Sequence, residues 1–474
     1  MIGIVWSAID KIAVQLGQFI VGIVLARILI PEDFGLVGML AIFIALSQTF
    51  IESGLGIALI QRQDRTDVDF STLFVFNLTV SSFFYLLLFF SAPFISNFFK
   101  QPQLTDLIRV LSLNLIVNAL AIVQRTKLAI TLNFKVIAKS NLIGMIVGGV
   151  CGIIAAKYNY GVWSLVIQII VGSLASCVSL WFLSKWTPSV IFSRNSFQKL
   201  FNYGSKLLIA GLYAQTINNV YNLFLGKFYP AASLGYYTKA KSFSDISAGT
   251  IASILQQVTF PILTSVQDDK VKLVSIYSRM IRMSAFFIIP IMTLICLLAK
   301  PIVVLLLTEK WVFLIPLLQW MVFARIFLPM SAVNLDLLNA IGRSDLFLKV
   351  DLSKLPLTIL AMVITIPLGV KAIIIGHVVT SAISFMINAY LPGKFYGYGP
   401  IQQLKDMIPI VVATIGMAIT VFVLTYFIDS LVLQLLLGGS FGMVSFLFFC
   451  WILKLEELKE IGGLLLKCFV KLKS

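Results

Sequence analysis

Runs of about twenty apolar residues, separated by short polar stretches, recur fourteen times along the chain. That length matches an α-helix crossing the hydrocarbon of a bilayer and exceeds the nine to eleven or so residues of a barrel strand. The predicted spans are 8–30, 35–60, 71–98, 107–123, 137–156, 161–184, 202–226, 236–264, 275–299, 312–339, 346–367, 370–391, 407–428 and 430–452. Segments four, seven and eight are the least apolar. The longest connection, 185–201 ("KWTPSVIFSRNSFQKLF"), is expected to be a cytoplasmic linker between an N-terminal lobe, 1–184, and a C-terminal lobe, 202–391. Helices thirteen and fourteen follow in 392–453, and a basic amphipathic tail, 454–474, is expected along the inner membrane face.

An internal repeat supports this division. Residues 161–180 ("GVWSLVIQIIVGSLASCVSL") and 369–388 ("GVKAIIIGHVVTSAISFMIN") are identical at six of twenty positions without a gap. "LARILIPEDFG" (25–35) and "LGKFYPAASLG" (225–235) each place a basic residue, a proline and a glycine ahead of the next segment. The offsets, 208 and about 200, agree and pair segment six with twelve and one with seven. An even number of segments between copies implies parallel repeats about an axis along the membrane normal. The expected fold is an all-α polytopic membrane protein: two six-helix bundles related by a pseudo-two-fold, plus two C-terminal helices.

Composition sharpens the class. Of 474 residues, 59% are hydrophobic and 12% charged, more apolar surface than a soluble fold can hide. The N-terminal "MIGIVWSAID" lacks the basic n-region and cleavage site of a signal peptide, so segment one is expected to be retained. The formal charge of +16 does not point to nucleic acid, because its placement accounts for it. With the N-terminus cytoplasmic, 24 Lys and Arg fall on the inner side and 10 on the outer, leaving Lys11 and Arg325 within or at the edge of spans. The positive-inside rule therefore puts both termini in the cytoplasm. The five cysteines form no CxxC or Cys/His cluster, and no phosphate-binding GxxxxGK[ST] motif occurs. One histidine and few intramembrane acids leave little for nucleophilic or metal catalysis, so a transporter or channel is expected and an enzyme is not. No cofactor is expected.

Polar groups within spans mark a bundle interior or an aqueous cavity. Segment one offers Asp10, Lys11, Gln15 and Gln18; segment two offers Glu52. Segment seven offers Gln215, Asn218 and Asn222 on one helical face, and segment eight offers Lys239, Lys241 and Asp245. Arg325 lies about thirteen residues into segment ten, too deep to snorkel, and stays charged. Each has a structural alternative. Asp10 and Lys11 could sit at the interface, the amides could bind helices together, Arg325 could pair with a carboxylate, and His377 could serve as a hydrogen-bond partner rather than a proton relay. A net basic cavity would suit an anionic group such as phosphate.

"VLARILIPEDFGLVGM" (24–39), "GLGIALIQRQD" (54–64), "SLGYYTKAKSFSDI" (233–246), "FPILTSVQDD" (260–269) and "LNAIGRSDL" (338–346) resemble the polysaccharide transporter branch of the multidrug/oligosaccharidyl-lipid/polysaccharide exporter superfamily, nearest its Wzx-type and teichuronic-acid-type flippases. The resemblance runs through nearly the whole chain. It implies a two-lobed, MATE/MurJ-like fold in the bacterial cytoplasmic membrane. It further implies that the cargo is an undecaprenyl-diphosphate-linked oligosaccharide for O-antigen, capsule, exopolysaccharide or teichuronic acid. The lobes would alternate access around a cationic cavity while the lipid tail stays in the bilayer, with a groove for it at segments thirteen and fourteen. The family supplies no invariant motif to transfer, so the candidate residues rest on polarity and repeat position. In that reading Lys11 and Arg325 attract the diphosphate, Asp10 tunes Lys11, and Glu52 or Asp245 carries a proton or sodium ion. Polysaccharide polymerase machinery would be a partner. The alternatives are a cation-coupled drug exporter of the same superfamily, a membrane-embedded glycan-processing enzyme, and a non-transporting or scramblase-like protein.

Overall fold

The computed structural model describes residues 2–184 and 186–463; the side chains of 2–12, 254, 257, 258, 344 and 348 lie outside that description. The described residues form α-helices joined by short turns, with no strand among them. In order they are α1 (Ile2–Ile28), α2 (Pro31–Glu52), α3 (Leu55–Gln61), α4 (Asp67–Phe99), α5 (Leu104–Leu111), α6 (Leu113–Ile130), α7 (Phe134–Lys157), α8 (Trp163–Ser184), α9 (Arg194–Phe228) and α10 (Ala231–Ser265). There follow α11 (Lys270–Leu297), α12 (Ala299–Leu307), α13 (Leu314–Ile326), α14 (Leu328–Ala340), α15 (Ser344–Ser353), α16 (Leu355–Thr365), α17 (Val370–Tyr396), α18 (Pro400–Phe427) and α19 (Leu431–Ile452).

A chain in hydrocarbon must satisfy every backbone N–H and C=O internally, which helices do. Their ends are set by local chemistry. At α4 the Thr66 N–H donates to Asp69 Oδ2 at 2.7 Å, and at α11 the Lys272 N–H donates to Asp269 Oδ1 at 3.0 Å. Proline occupies the first turn of α2 and α18, where its missing N–H costs nothing. Large apolar side chains such as Phe94, Phe182, Phe422 and Phe427 stand exposed along the helices, as a lipid-facing surface requires.

Each predicted segment finds a helix in its place. Ten helical stretches among the described residues are long and apolar enough to cross a membrane. In α1 the stretch with described side chains, Ala13–Ile28, is short, α9 and α10 are more polar, and α15–α16 is interrupted at Lys354. Apolar length also understates helix length. Segment four was expected to stop at 123, whereas α6 runs to Ile130 and takes Arg125 and Lys127 into the helix. The connection near 300–311 contains α12, which packs on α19.

Met1–Thr238 and Lys239–Ser474 form two compact units. In the first, α9 packs along α2 and α3, and α7 packs along α1 and α8. The α7–α8 contact is close because Gly144, Gly148 and Gly172 carry no side chain. A Cβ at Gly148 would lie 2.5 Å from the Gln168 carbonyl oxygen. Phe70, Phe74, Leu59, Val123, Trp186 and Leu200 fill a second core in this unit. In the second unit α11 packs against α13, α14 and α18, α17 against α13 and α14, and α18 against α19. A buried polar knot ties three of these helices: Tyr277 of α11 donates to Asn334 of α14, and Gln403 of α18 donates to both, at 2.8 and 2.9 Å.

The repeat is visible in the backbone. Helices α1 and α9 end at Ile28 and Phe228, and α2 and α10 begin at Pro31 and Ala231, each 200 residues apart. A Cβ on Gly35 would overlap the Ala231 carbonyl oxygen, and one on Gly235 would overlap that of Pro31. The two contacts are images of each other under the same offset. Gly161 and Gly369, 208 residues apart, both take positive φ just before α8 and α17.

Candidate functional site

The second unit concentrates charge inside its helices. Lys241 and Asp245, one turn apart on α10, approach to 3.4 Å between Nζ and Oδ2. From α13, Arg325 brings Nε to 2.7 Å from Asp245 Oδ1 and Nη2 to 3.5 Å from Oδ2. One carboxylate thus sits between a guanidinium and an ammonium, and the trio carries one net positive charge. The Arg325 side chain is 15% exposed and that of Asp245 37%, so the carboxylate faces open space while the arginine is held in protein. On α17, His377 lies within electrostatic reach of Arg325 and Lys241. A cluster of this kind can hold an anion at the cationic side chains and can exchange a cation at the carboxylate.

The structure therefore brings together Arg325, Lys241 and Asp245. Lys239 is two residues from Lys241 and lies on another face of α10. Five candidates, Asp10, Lys11, Glu52, Asn218 and Asn222, belong to the first unit. Glu52 is exposed at the last residue of α2, where its carboxylate accepts from Gln48 Nε2 at 3.0 Å. Beyond it, Ser53 and Gly54 turn left-handed and break segment two. Asn218 is exposed and Asn222 buried. The amide pair on α9 is instead Asn219 with Gln215, Nδ2 to O at 3.0 Å and to Oε1 at 3.3 Å. Asp10 and Lys11 lie in α1, with side chains outside the described residues.

Sequence reasoning missed other polar groupings. Nothing in the sequence links Asn334 to Tyr277 and Gln403. Near the middle of α11, Arg282 reaches Glu457 at 2.9 Å, Glu456 at 3.4 Å and Asp406 at 3.8 Å, while Arg279 reaches Glu460 at 2.8 Å. These pairs fasten the segment after α19 to α11 and α18. Residues 456–463 are helical, as an amphipathic tail requires; 464–474 lie outside the described residues. Among the described residues no cluster of His, Cys, Asp and Glu could hold a metal ion.

Comparison with known proteins places the chain. It matches the family described as polysaccharide biosynthesis protein over residues 24–316, more than half its length. It is similar to the teichuronic acid biosynthesis protein TuaB of Bacillus subtilis (strain 168), 23% identical over 394 residues and 82% of each chain. It is 24% identical over 396 residues to the lipopolysaccharide biosynthesis protein WzxC of Escherichia coli (strain K12), covering 82% of this chain and 80% of that one. Among solved structures it resembles the lipid II flippase MurJ in an inward closed conformation, with a TM-score of 0.81, 16% identity and coverage of 95% and 98%. It also resembles an inward-facing multidrug resistance MATE family transporter of the MOP superfamily, with a TM-score of 0.64, 15% identity and coverage of 82% and 97%. At these identities the likeness establishes the fold, and the exporter fold implied by the sequence is borne out. The chain is a multi-pass membrane protein of the polysaccharide biosynthesis protein family.

Proposed function

We propose that this protein is a flippase that moves a diphosphate-linked, lipid-anchored oligosaccharide across the bacterial cytoplasmic membrane for surface polysaccharide synthesis. The observation that carries the reading is the Arg325–Asp245–Lys241 trio. Charged groups inside membrane helices are costly and mark substrate or ion paths, and a net positive cluster suits an anionic cargo. The relatives named for teichuronic acid and lipopolysaccharide biosynthesis support the choice of a glycan, and the flippase of like fold supports a lipid carrier. The reading is one of transport, in which no bond of the cargo is made or broken. The headgroup crosses with its diphosphate near Arg325 and Lys241, while the polyprenyl tail stays in lipid beside α18 and α19. Both termini are cytoplasmic on the 24 to 10 distribution of Lys and Arg. Asp245, bracketed by two cations, and Glu52 are the groups suited to exchanging a proton or sodium ion. Downstream polymerase machinery consumes the delivered glycan.

The test is the sidedness of the glycan lipid in spheroplasts treated with an impermeant sugar-modifying reagent. Cells lacking the protein should hold the glycan lipid protected, and restoring the protein should make it accessible. Unchanged accessibility with a missing or unpolymerised glycan would favour an enzyme instead.

A further inference from the structure

The first unit holds a cavity of about 440 Å³ that the proposed path of the diphosphate does not use. It opens among α1, α6, α7 and α8, where the close approach of α7 and α8 exposes backbone at Gly144, Gly148 and Gly172. Six side chains give it polar walls: Gln18, Arg125, Asn141, Gln168, Ser173 and Ser176. Three of these are amides and two are hydroxyls, groups that both donate and accept. The charged one is Arg125, whose Nη2 lies 3.5 Å from Ser176 Oγ. Among the described residues that line the cavity there is no carboxylate and no lysine.

This inventory selects a ligand. The volume falls within the range of small-molecule sites, roughly 300–1,000 Å³. A guanidinium favours an anion it can grip with two parallel hydrogen bonds, such as a carboxylate. A diphosphate would bring more negative charge than one guanidinium compensates. A cationic drug would find no acid. Amides and hydroxyls around the arginine match the ring hydroxyls of a sugar, each of which also donates and accepts. A cavity kept only for helix packing would be filled by side chains rather than lined with amides.

We infer that this cavity binds a sugar bearing a single carboxylate, such as a uronate, with Arg125 pairing with the carboxylate and the amides holding the ring. The inference rests on the flippase reading for the source of that sugar, a residue of the translocated oligosaccharide, and not for the binding itself.

The experiment titrates the purified full-length protein in detergent with a glucuronate trisaccharide, a glucose trisaccharide and pyrophosphate, read by calorimetry. The glucuronate trisaccharide should bind and the glucose trisaccharide should bind about tenfold more weakly or worse, as loss of a charge-assisted pair requires. Arg125→Gln should weaken the glucuronate ligand by about the same factor. Asn141→Asp, nearly isosteric, sets a carboxylate against the ligand and should do likewise; melting temperatures decide which variant is read. Wild-type affinity in the folded variant, pyrophosphate competing as well as the uronate, or a cavity that takes up neither sugar would each overturn the inference. Uronate binding without flipping in spheroplasts would overturn the flippase reading alone. Flipping without uronate binding would overturn this inference alone.

Discussion

Arg325→Gln isolates the charge on which the transport reading depends. The variant removes the guanidinium that stands 2.7 Å from Asp245 and takes the trio from one net positive charge to none. A unit charge about 4 Å from a phosphate oxygen is worth about 4 kcal/mol at an effective dielectric near 20. The carboxylate is more than a third exposed, so water screens the site, and about 1–2 kcal/mol is the working figure. That predicts about a tenfold loss in flipping rate at subsaturating substrate, measured in proteoliposomes. Folding should survive, because Lys241 still faces Asp245 at 3.4 Å. The double variant Arg325→Gln/Asp245→Asn restores one net positive charge and should recover much of the rate. Wild-type rates in Arg325→Gln would refute the reasoning outright. A folded Asp245→Asn protein that does not flip would mark Asp245, rather than Glu52, as the ion carrier.

Other parts of the structure make separate predictions. Gly148→Val drives a side chain into the Gln168 carbonyl and should cost about 1–3 kcal/mol, seen as a lower Tm; an unchanged Tm would mean α7 and α8 do not meet there. Arg282→Ala leaves Glu457, Glu456 and Asp406 without their shared cation, so trypsin should cut faster at Lys454 and Lys459, and equal cutting would dismiss the clamp. Outside the spans, the Arg62 guanidinium holds the Asp64 carboxyl down at about 2. A depressed acid stabilises above its unfolded pKa and loses that contribution only as pH falls towards its folded one. The difference in Tm between Asp64→Asn and wild type should therefore be equal at pH 7 and pH 5.5; a difference that vanishes by pH 5.5 would contradict it.

The membrane fold was legible because hydrocarbon imposes one rule on every residue of a span. Each apolar run coincides with helix, ten stretches among the described residues being long and apolar enough to cross a membrane, and the glycine and proline echoes of the repeat reappear as matched helix ends and the reciprocal Gly35–Ala231 and Gly235–Pro31 contacts. What failed was inference about where helices stop and what they touch. Hydropathy falls at Gln124–Lys127, yet α6 continues to Ile130, because charged residues remain good helix formers. That error assigned Arg125 to a loop and hid the first unit's cavity. Arg325 stood out as a deep charge, but its partner lies 80 residues away on another helix, and no local spacing encodes such a pair. On the amide face expected at Gln215, Asn218 and Asn222, the side-chain bond runs instead from Asn219 to Gln215, while Asn218 is exposed and Asn222 buried.

The central claim, that this chain alone carries a diphosphate-linked glycan lipid across a bilayer, is met most directly with purified protein. A fluorescent polyprenyl-diphosphate oligosaccharide would be reconstituted with it in sealed liposomes and challenged with an impermeant glycosidase. The account predicts that nearly all of the lipid becomes cleavable with time, against only the outer-leaflet share in protein-free liposomes and a slower rise with Arg325→Gln. Cleavage that stops at the outer-leaflet share with folded wild-type protein, with either a proton or a sodium gradient imposed, would contradict it.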